Sequence, residues 1–307
     1  MIIEKLKAKV SQLSAWSKSA NPSRFRFKKP KGGYLNINQD AKLSDRFFLF
    51  ADFSAKNLAS KDFSRSDLTA GKFMYANLSH AVLLESIMRD ANISHSDCTE
   101  AKFDQTDTTR MILKNSNLSK AWFYKNNLED TDFEGVILKS TDFRNTRLTR
   151  SDFTKANIDK MIGSYSFLDG CNFEGLSAKK VSMVMSHLNG AIFRKTKITK
   201  SNFAGAQMVK SVCQKAIFNK TDLSNINAKG SDFIKAKIIN CNLDKTDFTA
   251  CDMREVDFRG SCLNGTIFTG ANLTAADFHG VDVSSVYFSL EQINSAFGIG
   301  ESLHSTS

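Results

Sequence analysis

From Leu43 to Phe288, every fifth residue is a place for an apolar side chain, and the register runs through fifty pentads without an insertion. Forty-four of the fifty centres are Phe, Leu, Ile, Met or Val; the others are Cys98, Thr108, Gly163, Ala178, Cys213 and Ala228. A period of five fits neither a helix, at about 3.6, nor a strand, at about 2, so the chain must turn a corner every few residues. The position two before each centre is Ala, Ser, Thr, Cys, Gly or Val in 42 of 50 pentads, so large and small side chains share one narrow interior. The residue just before the centre is often Asp or Asn (Asp52, Asp62, Asn77, Asp142, Asp277), which suits a polar, turn-compatible edge facing water. The chain has 25 Phe beside 5 Tyr and 2 Trp, a ratio that selection of Phe at the centres explains.

Segments such as "ADFSAKNLASKDFSRSDLT", "TDFRNTRLTRSDFTKANI" and "GANLTAADFHG" resemble the A(D/N)LXX signature of the pentapeptide-repeat family, over about four-fifths of the chain. The resemblance implies an all-β fold, a right-handed quadrilateral parallel β-helix with four pentads per coil, so that residues 20 apart stack in columns. At ~4.8 Å per coil the array would hold about 12 coils in a rod on the order of 60 Å long. Pro22 and Pro30 both precede the array, and no proline interrupts its ladder.

Three regions follow: a basic helix or arm with linker over 1–40, the solenoid over 41–288, and a capping helix with tail over 289–307. Ile2, Ile3, Leu6, Val10, Leu13 and Trp16 fall near helical spacing among Lys5, Lys7 and Lys9, which predicts a basic amphipathic helix over 2–17. Its open readings are a cover for the first coil, an interfacial membrane helix, an arm for an anionic partner, or a secretion signal. Ser289 to Gln292 reads as a capping box, with Leu290, Ile293 and Phe297 on one face and Gly298 as the stop. In several family members a C-terminal helix or end coil also forms a dimer interface, which makes these three residues the candidate dimer end.

Net charge is +10, unevenly spread: residues 1–40 carry +7, residues 41–237 carry +9 and residues 238–307 carry −6. Folding the sequence by twenties places Lys120, Lys160, Lys180, Lys200 and Lys220 in one column, and Lys155, Lys195, Lys215 and Lys235 in the column one pentad earlier. Lys179, Lys197 and Lys237 lie between them, with Arg194 beside. Stacked like charges repel, and an anionic partner (nucleic acid, acidic protein or phospholipid headgroups) would remove that cost; the bland alternative is that Lys keeps a β-surface unaggregated. A second candidate surface is apolar: Trp122, Tyr124, Ile162, Tyr165, Val184 and Met185, beside Phe167 and around the weakest pentad, centred on Gly163. A local bulge that tucks some of them inward is the competing reading.

Catalysis has little to stand on. His80, His95, His187, His279 and His304 share no column, and the sequence contains no P-loop, dinucleotide-binding glycine motif or metal-ligand spacing. No catalytic residue, metal or cofactor is expected. Cys98 and Cys213 sit at centres, Cys171, Cys241 and Cys251 at small interior positions, and Cys262 points outward, a usage that fits buried apolar thiols and a reducing cytoplasm. No stretch is long and apolar enough to span a bilayer, and the N-terminus lacks the apolar core and cleavage site of a secretory signal. The expected function is a non-enzymatic scaffold acting through protein–protein contact. Family resemblance suggests a bacterial effector delivered into a host cell, or a protein that protects DNA gyrase as quinolone-resistance pentapeptide proteins do. The second version, which in part imitates the negative surface of DNA, is disfavoured by a body at +9.

Overall fold

The computed structural model describes residues 43–299, all of them within one compact unit. The predicted helix over 2–17, its linker and the tail after 299 lie outside the described residues. Residues 43–283 wind as a parallel β-helix with four sides. Its rungs pair residues 20 apart, from Phe47 with Asp67 through to Asp257 with Asp277, all parallel. Most rungs are single bridges. On one side they lengthen into strands β1 (Ser177–Lys179), β2 (Lys197–Thr199), β3 (Ile217–Asn219) and β4 (Lys237–Ile239), paired in that order.

Each pentad is half rung and half turn. The centre's carbonyl accepts from the N–H three residues on, as Phe48 does from Ala51 at 3.0 Å and Phe53 from Lys56 at 3.1 Å. The residue two after the centre sits at the corner with φ near +57°; every fifth residue from Asp45 to Gly280 does so, and only ten of these 48 are Gly. Such turns need positive φ at their third residue, where a side chain costs roughly 1–2 kcal/mol. The array tolerates that cost because each corner is fixed by bonds to the coil above. The Asp or Asn before the centre has a specific partner, since its Oδ1 accepts the N–H two residues on, as from Ser54 to Asp52 at 2.9 Å and from Arg144 to Asp142 at 3.0 Å. It caps the turn rather than only facing water.

The interior is stacked. Phe103, Phe123 and Phe143 lie over one another with centroids 4.6 and 5.2 Å apart, and Phe133, Phe153, Phe173 and Phe193 form a second stack. Several hydroxyls at the small position bond carbonyls of the preceding coil, as Thr141 Oγ1 to Leu118 at 2.7 Å and Ser151 Oγ to Leu128 at 2.8 Å, and others bond within their own coil, as Ser86 Oγ to Leu83 at 2.8 Å. The local bulge, the competing reading at Gly163, is absent. The Gly163 N–H donates to Ser182 at 2.7 Å and the rungs on both sides of Ile162 are in place. Met183 compensates from the next coil, its Sδ lying 2.8 Å from where a Gly163 Cβ would be.

At the C-terminus, α1 (Leu290–Ser295) opens with the predicted capping box: Ser289 Oγ accepts from Gln292 N at 3.2 Å, and Gln292 Oε1 accepts from Ser289 N at 2.9 Å. Gln292 is buried, and its Nε2 donates to the carbonyls of Phe268 and Ala271 at 2.7 and 2.9 Å. The expected common face does not form. Ile293 packs on the core, Leu290 is 79% exposed, and Phe297 lies beyond the helix, bridged to Asp277. The helix is shorter than expected, because the chain returns to the ladder at Phe297.

Candidate functional site

Both lysine columns stand at corners, in the left-handed position of the turn, with φ from 51° to 60°. That geometry throws the side chains outward from the two edges of a single side, the one formed by β1 to β4. Lys197 and Lys237 project from the strands between, and a depression on this side is lined by Lys179, Lys197, Lys200 and Lys220 with Ser177 and Asn219. The columns therefore frame one face.

The nine column lysines are not equivalent. Lys120 Nζ is 2.8 Å from Glu100 and Lys155 Nζ 2.7 Å from Glu134, while Lys235 Nζ is 3.3 Å from Glu255. Lys120 holds the Glu100 carboxyl below its ordinary range, and hydrogen bonds from Lys114 and Lys155 hold Glu134 down at about 2. Lys179 leans on Asp159 at 3.8 Å. Lys160, Lys180, Lys195, Lys200, Lys215 and Lys220, with Lys197 and Lys237, make no ion pair with a described carboxylate. Arg259 and, more weakly, Lys237 hold the Asp257 carboxyl below its ordinary range, so Lys237 has a carboxylate neighbour; seven unneutralised ammonium groups gather on β1–β4 and its two edges, while the paired lysines mark the boundary.

The apolar residues are divided. Trp122 and Tyr124 flank Phe123 on one coil, with Lys102 Nζ 5.0 Å above the Trp122 ring and Lys125 Nζ 5.2 Å above Tyr124. The next coil interposes the Arg144–Asp142 ion pair at 2.6 Å before Ile162 is reached. Beyond it, Tyr165 and Met185 stand exposed on one corner, with Val184 adjoining and Phe167 stacked on His187 at 4.9 Å. The single cluster expected is two smaller patches separated by a charge pair.

The family model described as "Pentapeptide repeat region" matches residues 211–294, and that described as "Pentapeptide repeats (8 copies)" matches 72–107, 91–125 and 127–160. The chain belongs to the pentapeptide-repeat family. Solved structures similar to this pentapeptide-repeat protein include HetL, involved in heterocyst differentiation regulation in the cyanobacterium Nostoc sp. strain PCC 7120. It is 19% identical over 76% of this chain and 91% of its own, with a TM-score of 0.28. A pentapeptide-repeat protein from the Arabidopsis thaliana thylakoid lumen is 26% identical, covering 39% of this chain and 77% of its own, with a TM-score of 0.28. QnrB1, a plasmid-mediated fluoroquinolone resistance protein, is 17% identical over 58% and 84%, with a TM-score of 0.30. A search of curated proteins finds no match.

Burial pushes the thiols of Cys98, Cys171, Cys213, Cys241 and Cys251 up to about 12, so they are neutral at any physiological pH; Cys262 alone among the six is exposed. Among the described residues no group of three or more His, Cys, Asp or Glu is placed to hold a metal ion, and no helix is long and apolar enough to cross a membrane. What the column pattern alone did not reveal was the corner itself. Ten of the chain's 16 Gly stand two after a centre, and that spacing marks the left-handed position the lysines share.

Proposed function

We propose that this chain is a non-enzymatic scaffold that docks a protein partner with an acidic surface through the β1–β4 side. The observation that carries it is the set of seven lysines without a carboxylate partner, Lys160, Lys180, Lys195, Lys197, Lys200, Lys215 and Lys220, on a protein that neutralises its other column lysines with Glu100, Glu134 and Glu255. Like charges one coil apart, at ~4.8 Å, repel, and a complementary acidic surface converts that repulsion into attraction and a faster encounter. Lysine rather than arginine supplies point charges without fixed bidentate geometry, which suits a broad acidic patch more than a single anionic group.

The test uses immobilised heparin as a polyanion probe and then partner capture. Changing Lys160, Lys180, Lys200 and Lys220 to Ser is structurally mild, since Ser140 already occupies this corner column at φ 59°. The variant is expected to elute from heparin at clearly lower salt and to lose the acidic proteins that the native chain captures. Unchanged elution would sink the reading. Capture of nucleic acid or of phosphatidylserine vesicles in place of protein would replace the partner class.

A further inference from the structure

Within the body of the array the ladder parts across two adjacent sides at one place; elsewhere it lacks only the single rung 157–177 until the last coil, where 262–282 and 267–287 are unbridged. Residues 107 and 127 are not bridged, nor are 112 and 132, although Ile87–Asp107, Asn92–Ile112, Asn127–Arg147 and Asp132–Asp152 hold each edge to its other neighbour. The N–H groups of Thr108, Arg110, Leu113, Asn127 and Asp132 make none of the backbone bonds that their counterparts one coil away make. Those counterparts are Met88 to Asp107 at 2.8 Å, Asp90 to Thr109 at 3.0 Å, Ile93 to Ile112 at 2.9 Å, Arg147 to Asn126 at 3.0 Å and Asp152 to Thr131 at 3.0 Å. The other two sides of the same coils stay bonded, through Phe103 to Trp122 at 2.8 Å and Leu118 to Ile137 at 2.8 Å. The result is a wedge-shaped cleft of about 550 Å³, lined by Arg110, Met111, Leu113, Lys114, Asn127 and Asp132.

The residues at this point break the packing rule of the array. Thr108 is a polar centre, and its Oγ1 reaches Asn127 O at 2.8 Å in place of its own N–H. Met111 fills a position made for Ala or Ser while Leu113 keeps its full size beside it, so this pentad is overfilled. Asn126, also at a small position, is 2% exposed, and neither its amide nitrogen nor its amide oxygen has a hydrogen-bond partner in the protein. Such a group is costly in a closed interior and cheap once water reaches it.

We propose that this cleft is a hinge: the solenoid opens and closes here as a wedge, pivoting on the two bonded sides. The coils before Thr108 then tilt against those after Asn127, which carry the lysine face. Opening breaks on the two parted sides only the long Asn115 to Glu134 backbone bond at 3.4 Å, the Thr108 Oγ1 bond to Asn127 and the exposed Lys114–Glu134 ion pair, and lets solvent reach Asn126, so local stability is low here.

Amide hydrogen exchange on the full chain tests the opening. The five unpaired amides are expected to exchange at least about 100-fold faster than their five paired counterparts; equal protection would overturn the proposal. Motion is tested by the distance between nitroxides at Ala70→Cys and Gly170→Cys, on the parted edge either side of the cleft, in a Cys262→Ser background. The native packing should give a broad or two-component distribution. The triple variant Thr108→Leu, Met111→Ala, Asn126→Ala, which restores the common pattern, should narrow it and slow the five amides at least tenfold. A single narrow distance in the unmodified pattern overturns the hinge, and it can be read even if the triple variant does not fold.

Discussion

In three pentads the two interior positions trade sizes. Met161 stands with Gly163, Leu176 with Ala178 and Ile226 with Ala228, so a large residue at the small position faces a small residue at the centre, and all three large side chains are buried. Interiors are packed as closely as organic crystals, so what must be conserved in each pentad is the summed volume rather than the identity of either position. Ile226 and Ala228 allow a direct test by a double-mutant cycle in chemical denaturation. Ile226→Ala alone should cost about 2–5 kcal/mol by leaving a cavity, and Ala228→Leu alone about 1–3 kcal/mol by overpacking. Together they rebuild the common pattern and should recover most of the loss, a coupling on the order of 1–3 kcal/mol. Strictly additive costs would show that the two positions do not share space. Gly163, Ala178 and Ala228 look like defects when the centres are taken alone. Paired with the residue two before each, they are compensated, whereas Thr108, Met111 and Asn126 are not.

At the scale of elements, the pentad register was legible because periodicity is local and repeated: each centre from Leu43 to Phe278 points inward, and apart from Phe48 every one is buried. The helix was legible in its start and not in its faces. Ser289 and Gln292 announce a cap through their spacing alone, but which way Leu290 and Ile293 point depends on where the last coil places the helix. Gln292 has two roles there, closing the capping box and covering two carbonyls at the end of the ladder. Gln292→Ala should therefore cost more than Ser289→Ala. Loss of the serine cap is worth about 1 kcal/mol. Loss of the glutamine leaves the Ala271 carbonyl unpaired and the Phe268 carbonyl with only its turn bond from Ala271, at roughly 1–3 kcal/mol in addition to the cap. Denaturant unfolding of the two variants side by side measures the difference, and equal costs would mean that the two bonds to the ladder contribute nothing. The lysine columns were legible as columns for the same periodic reason. Their split into neutralised and free members was not, because it turns on whether a carboxylate stands one coil away at the matching corner, as Glu100 does below Lys120.

Over the whole array, stability is close to a sum of coil terms and contacts between neighbouring coils, so cooperativity is only as strong as the weakest interface. Stacked Phe couple the coils from Phe133 to Phe193, and again from Phe248 to Phe288. Between residues 107–113 and 127–132 half of the rungs are missing, so the coupling there is smaller. A one-dimensional chain with one weak link separates into blocks when the energy of the link falls below the difference in block stabilities. The coils before the cleft include Cys98 and Thr108 at centres and are the shorter block, whereas those after it hold the longer Phe stacks. The N-terminal block should thus melt first. Calorimetry on the full chain is expected to give a calorimetric enthalpy larger than the van't Hoff enthalpy, with amides of residues 53–103 losing protection before those of 133–278. Filling the link with Thr108→Leu, Met111→Ala and Asn126→Ala should bring the two enthalpies together. A single two-state transition in the native chain, with both sets of amides lost at one temperature, would show that two bonded sides suffice to couple the blocks.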